Sequence, residues 1–151
     1  MIKSIYVAEQ HDAKLTSVDR VDVVAGKGIV GDRNFGESNW PGQNVTFIEK
    51  EKIDAFNEQY QRDIHESDPR RTVITTGVDL NALVGKEFTV GDVRFIGVEL
   101  CEPCKGIGDK LATDTMSGPA VVKALVGNGG LRTNALNDGQ FAVGMPLTMS
   151  S

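Results

Sequence analysis

Glu87-Phe88-Thr89-Val90-Gly91-Asp92-Val93-Arg94-Phe95-Ile96 is the stretch that decides the fold class. Two runs rich in β-branched and aromatic residues flank Gly91-Asp92, the chemistry of a two-residue hairpin turn. Val98-Glu99-Leu100 extends the second arm up to Cys101. Working outward, Ile5-Tyr6-Val7, Val21-Asp22-Val23-Val24, Val45-Thr46-Phe47-Ile48 and Val73-Ile74-Thr75-Thr76 read as further strands. Gln140-Phe141-Ala142-Val143 and Pro146-Leu147-Thr148-Met149 suggest a final pair. Only two segments carry helical spacing. From Glu49 to Tyr60, the residues Ile53, Phe56 and Tyr60 fall on one face. Pro119 to Val126 is short and apolar, with Ser117 or Gly118 to cap it, Pro119 for its first turn and Gly127 to stop it. Strands dominate and do not alternate regularly with helices. That predicts a mainly β, barrel-like fold with a few peripheral α-helices.

The chain has 151 residues, which suits one domain over 1–151. Apolar residues make up 40% and charged residues 25%, near soluble globular norms, which argues against a disordered or fibrous chain. No stretch approaches the roughly 18–20 apolar residues of a membrane span. The net charge of −5 shows neither the basic excess nor the basic stripe of a nucleic-acid binder. Met1 to Val7 does not read as a signal peptide. Two cysteines are fewer than a secreted disulfide scaffold carries. These features predict a cytoplasmic chain with no nucleic-acid or membrane partner.

Four segments can carry chemistry. Cys101-Glu102-Pro103-Cys104 follows a strand. Its thiols suit a nucleophile, a soft metal ligand or a disulfide, or they are simply two partly buried structural thiols. Zinc is not expected, because only His11 and His65 add to the cysteines and they fit no finger pattern. Cys-x-Pro-Cys also resembles a thioredoxin-type site, which expects a βαβ setting that the hairpin pattern argues against. Gly26-Lys27-Gly28-Ile29-Val30-Gly31-Asp32-Arg33 is a glycine loop presenting Asp32 and Arg33, or a plain turn with a surface ion pair. No helical pattern follows it, so it is a weak nucleotide motif. Arg70-Arg71-Thr72 leads into a strand, with guanidinium forks suited to phosphate or merely solvated. Gly127-Asn128-Gly129-Gly130-Leu131-Arg132 lets backbone approach a ligand, or forms a long turn. Both histidines read as exposed polar residues.

The order of these segments is more informative than any one of them. Gly28 to Arg33, Gln43 to Ile48, and Arg70-Arg71 before a strand come first. Gly77-Val78-Asp79-Leu80-Asn81-Ala82-Leu83-Val84-Gly85-Lys86, the cysteine pair and Gly129 to Arg132 follow. From about Val21 to Leu147 this succession resembles the MOSC domain, the module named for the C-terminus of molybdenum cofactor sulfurases. The chain resembles a small stand-alone member.

The resemblance implies a mainly β, barrel-like fold. It also implies a cysteine that carries sulfur as a persulfide or ligates the molybdenum of a pterin cofactor. That cysteine maps onto Cys104, with Cys101 as its partner. Arg71 is expected to meet the pterin phosphate, and Asp32 and Arg33 match the glycine-loop motif. Thr72 stands where relatives often have Asn, with shorter hydrogen-bonding reach, and Asn34 stands where His often follows Gly-Asp-Arg. An anionic phosphate wants Arg71, Arg33 and backbone N–H groups from glycine loops. A soft metal–sulfur centre wants a thiolate. The expected role is therefore cofactor binding, sulfur carriage or both, as a sulfurtransferase or as a component of a molybdenum-dependent oxidoreductase. The former needs a pyridoxal-phosphate cysteine desulfurase to load the thiol. The latter, reducing N-hydroxylated compounds, needs an electron-donor protein. The alternatives are a thiol–disulfide redox protein using Cys101 and Cys104, and a non-catalytic binding module.

Overall fold

A computed structural model describes residues 1–39, 41–103 and 105–149. The hairpin is formed as expected. β7 (Glu87–Val90) pairs antiparallel with β8 (Val93–Leu100), Val90 opposite Val93, around the Gly91-Asp92 turn. Gly91 has a φ of 57°, the left-handed backbone that such a turn requires. β8 alternates buried and exposed positions, with Val93, Phe95 and Gly97 inward.

The remaining strands are β1 (Ile2–Val7), β2 (Thr16–Val18), β3 (Arg20–Val24), β4 (Gly28–Ile29), β5 (Val45–Glu49), β6 (Val73–Thr75), β9 (Leu131–Ala135), β10 (Gly139–Ala142) and β11 (Leu147–Met149). Eight of the eleven form one sheet in the order β11-β7-β8-β9-β5-β6-β1-β2, and β10-β3-β4 form a second. The larger sheet curls into a half-barrel, and the few helices lie outside it. The mainly β, barrel-like expectation holds.

Both sheets face one apolar interior. Ile2 and Ile5 of β1, Val21 and Val23 of β3, Phe47 of β5, Leu131 of β9 and Phe141 of β10 all belong to it. At its centre the Phe47 and Phe95 rings meet edge-on at 5.3 Å, and Phe88 stacks on Phe95 at 5.5 Å. Such contacts add to the burial of large apolar surface. Gly97 sits where the backbone of a 3-10 helix (Leu80–Leu83) crosses β8. A Cβ there would lie 2.1 Å from the Leu83 carbonyl oxygen, so no side chain fits.

The helices are α1 (Lys50–Tyr60), α2 (Lys105–Leu111) and α3 (Gly118–Leu125). α1 joins β5 to β6, the one parallel pair among the described strands, and buries Ile53 and Phe56. α3 starts as its sequence predicts, with the Ser117 hydroxyl accepting from the Ala120 amide at 3.2 Å. Among the described residues no helix is long and apolar enough to cross a membrane.

Two local expectations are corrected. β10 and β11 do not pair with each other. β10 lies on β3 and β11 on β7, in different sheets, because Gly144 turns the chain away between them at a φ of 91°. The Gly129 to Arg132 segment is also more than a turn, since Leu131 opens β9 in the middle of the larger sheet.

Candidate functional site

The ends of β5, β6 and β9 and the loop after β4 surround a recess of about 180 Å³. Four guanidinium groups line it, from Arg33, Arg70, Arg71 and Arg132, together with His11, Asn34, Gln43 and Thr46. The three motifs that contribute them are separated by roughly thirty or more residues in sequence, and only tertiary structure joins them.

Arg33 is the most enclosed of the four, its side chain 5% exposed. Its Nη1 donates to Asp32 Oδ1 at 3.0 Å and its Nη2 to the Arg70 carbonyl at 2.9 Å. Burial pushes the Arg33 guanidinium down from its ordinary value. Asp32 opposes that, while Arg70 and Arg71 add to it. The Asp32 carboxylate is wholly buried. It also accepts from the amides of Ala8 at 3.2 Å and Asn34 at 3.4 Å. Asp32 thus joins the end of β1 to the glycine loop.

Arg70 has a φ of 60°, in the left-handed region, a cost of roughly 1–2 kcal/mol for a non-glycine residue. Successive side chains on an extended strand point to opposite faces. The left-handed residue breaks that alternation just ahead of β6, and both Arg70 and Arg71 line the recess. Arg70 Nη2 donates to the carbonyls of His11 and Ala13, each at 2.9 Å. Arg71 Nε donates to the Gly129 carbonyl at 2.8 Å. The Thr72 amide donates to Thr46 Oγ1 at 3.1 Å, while the fully buried Thr72 hydroxyl has no hydrogen-bond partner among the described residues. Arg132 pairs with Glu99 across β8 and β9 at 2.9 Å. His11 lies at the rim, exposed and 3.4 Å from Glu37.

Cys101 lies near Arg71 and Arg132, 1% exposed, with its amide donating to the Gly130 carbonyl at 2.8 Å. Burial pushes its thiol up, against the opposing pull of Arg71 and Arg132. Gly129 packs on the Cys101 carbonyl so closely that a Cβ would lie 2.4 Å from its oxygen. Cys104 lies outside the described residues. Among the described residues no group of three or more His, Cys, Asp or Glu side chains could hold a metal ion.

The structure therefore brings Arg33, Arg71 and Arg132 to one recess, with Asp32 beneath it and Cys101 and Thr72 beside it. Sequence reasoning named Arg70 and Arg132 only as parts of motifs and gave them no role of their own. The missed signal for Arg132 is strand alternation: Leu131, Thr133 and Ala135 are buried and Arg132 and Asn134 less so, a period of two hidden by polar residue types.

The architecture is thus a mainly β half-barrel with an arginine-lined recess at its strand ends. The chain belongs to the MOSC domain family, whose sequence model matches residues 31–148. That domain is associated with molybdenum cofactor biology. Among curated proteins, no sequence matches the chain. Solved structures share its fold at low identity. The YuaD protein from Bacillus subtilis has a TM-score of 0.83 at 16% identity, over 97% of this chain and 92% of that one. YiiM from Geobacillus stearothermophilus has a TM-score of 0.74 at 17% identity, over 100% of this chain and 76% of that one. YiiM from Escherichia coli has a TM-score of 0.71 at 13% identity, over 100% of this chain and 70% of that one.

Proposed function

We propose that this chain binds a molybdenum–pterin cofactor through its phosphate, and uses Cys104 to ligate molybdenum or to carry persulfide sulfur. The observation that carries the reading is the charge of the recess. Four guanidinium groups line it; Asp32 pairs with Arg33 and Glu99 with Arg132, while the side chains of Arg70 and Arg71 donate to backbone carbonyls. A phosphomonoester dianion offsets that surplus with charge-assisted hydrogen bonds.

The residues present fit that part of the group. Arg71, oriented by its bond to Gly129, and Arg33, Arg70 and Arg132 would hold the phosphate. When bound, the cofactor supplies a soft metal–sulfur centre of the kind a thiolate ligates.

Cys104 follows Cys101 by three residues, a reach of at most about 11 Å. A thiolate is the form that ligates a soft metal or carries sulfur, so it is the form this reading requires of Cys104. As a sulfur carrier, Cys104 takes sulfur from a pyridoxal-phosphate cysteine desulfurase. As a molybdenum ligand, it serves an oxidoreductase that draws electrons from a donor protein. A dithiol redox couple needs both thiols, so Cys101→Ser separates it from a carrier or ligand role of Cys104 alone.

The test is intact mass with molybdenum and pterin analysis on protein purified anaerobically from its own host. The expected result is molybdenum with pterin, or one added sulfur on Cys104, lost in Cys104→Ser. Molybdenum with pterin is also lost in Arg71→Ala, and either adduct is retained in Cys101→Ser. Unmodified thiols with neither adduct would refute the reading.

A further inference from the structure

We infer that Asp32 is a positioning residue, acting through Arg33 and the Arg70 backbone to hold the arginines of the recess in place. The inference rests on the anion-binding reading of that recess and assigns a task to the glycine-loop motif.

Three observations carry it. The Asp32 carboxylate is wholly buried and accepts from the Ala8 and Asn34 amides and from Arg33 Nη1. The other terminal nitrogen of Arg33 donates to the Arg70 carbonyl at 2.9 Å. Arg70 holds a left-handed backbone conformation, which places it beside Arg71 in the lining of the recess. A carboxylate thus fixes a guanidinium, and that guanidinium fixes the carbonyl of the one residue whose unfavourable conformation sets the next side chain. Residues held in such conformations persist when their surroundings over-determine them. Here the surroundings are Arg33 below and the His11 and Ala13 carbonyls that receive the Arg70 side chain.

Simple electrostatics predicts the opposite sign from positioning. Removing a negative charge beside an anion site strengthens anion binding, whereas loosening the strut weakens it. Asp32→Asn nearly conserves shape and separates the two.

The experiment is calorimetric titration of inorganic phosphate at low ionic strength into the wild type, Asp32→Asn, Arg71→Ala, Arg70→Gly and the Asp32→Asn/Arg70→Gly double variant. Circular dichroism checks each fold. Asp32→Asn is expected to bind about tenfold more weakly, the scale of one hydrogen bond to a charged group. Glycine adopts positive φ freely, so Asp32→Asn should have little further effect in the Arg70→Gly background. A general folding defect would persist there. Should Asp32→Asn fail to fold, Arg33→Lys keeps the recess charge, removes the fork, and should weaken binding similarly. Unchanged or tighter phosphate binding by Asp32→Asn, with Arg71→Ala impaired, overturns the positioning role alone. No phosphate binding by the wild type, or none lost in Arg71→Ala, overturns the anion-site reading and this inference with it.

Discussion

Gly129 is where the fold and the recess depend on each other most directly, so Gly129→Ala is a sharp test of the geometry. The added Cβ would lie 2.4 Å from the Cys101 carbonyl oxygen and 3.4 Å from its carbon, against backbone that has no rotamer to change. Relief requires roughly 1 Å of main-chain movement, given an ordinary contact of about 3.4 Å. Two bonds resist that movement, Cys101 N to the Gly130 carbonyl and Arg71 Nε to the Gly129 carbonyl, each at 2.8 Å. Overpacking costs about 1–3 kcal/mol and each weakened bond about 1 kcal/mol, so a loss of about 3 kcal/mol is expected. For a chain of this length that is a fall of about 6–12 °C in Tm. Gly127→Ala is the internal control. It has a φ of 75° but nothing within 4 Å of its Cβ, so it bears only the backbone strain, about 1 kcal/mol. Urea unfolding of both variants reads the difference. Equal stability of Gly129→Ala and Gly127→Ala would refute the packing argument.

Two further outcomes are expected. Burial pushes Glu66 up, but hydrogen bonds from Lys3, Ser4 and Tyr6 outweigh it and hold its carboxyl at about 2, below the ordinary 4.5. Its stabilisation is therefore complete above pH 4.5 and lost as pH falls towards 2; allowing for the half-exposed Lys3, about 2 kcal/mol should disappear in acid unfolding curves, and Glu66→Gln should flatten that loss. Ser117→Ala removes the α3 cap and should lower stability by about 1 kcal/mol in chemical denaturation, with phosphate binding unchanged.

The barrel was legible wherever a strand's apolar period was uninterrupted. β3 and β8 alternate cleanly, and the Gly-Asp turn pins the β7–β8 register. β9 was not legible, although it lies between β8 and β5. Its inward Thr133 is polar yet fully buried, because its hydroxyl donates to the Val45 carbonyl at 2.7 Å. A bond made to a strand some ninety residues away leaves no local trace in the sequence. α2 was missed for a related reason. Gly106 and Gly108 lower its helix propensity, yet Gly108 is there so that α3 can approach, since a Cβ would lie 2.7 Å from the Gly118 carbonyl oxygen. At the site, Arg33 and Arg71 stood out in their motifs. Arg132 took no role because its strand went unread, and the burial of Asp32 follows from amide donors on other segments.

The charge arrangement makes the recess electrostatically costly. Arg33 is buried with one carboxylate, and its neighbours Arg70 and Arg71 make its charged form less favourable still. Among the described residues, neither of those two pairs with a carboxylate; their side chains donate to backbone carbonyls, which offset less charge. A left-handed arginine adds backbone strain at the same point. These costs fall on the ends of β5, β6 and β9, while the phenylalanine cluster lies further inside the barrel. The interior can therefore stay folded while the recess is under electrostatic strain. On the function proposed above, a dianion bound there would relieve the like-charge repulsion and stabilise only the folded state, by an amount set by its concentration over its Kd. Strain held on a rigid β scaffold is how this chain keeps four cations convergent.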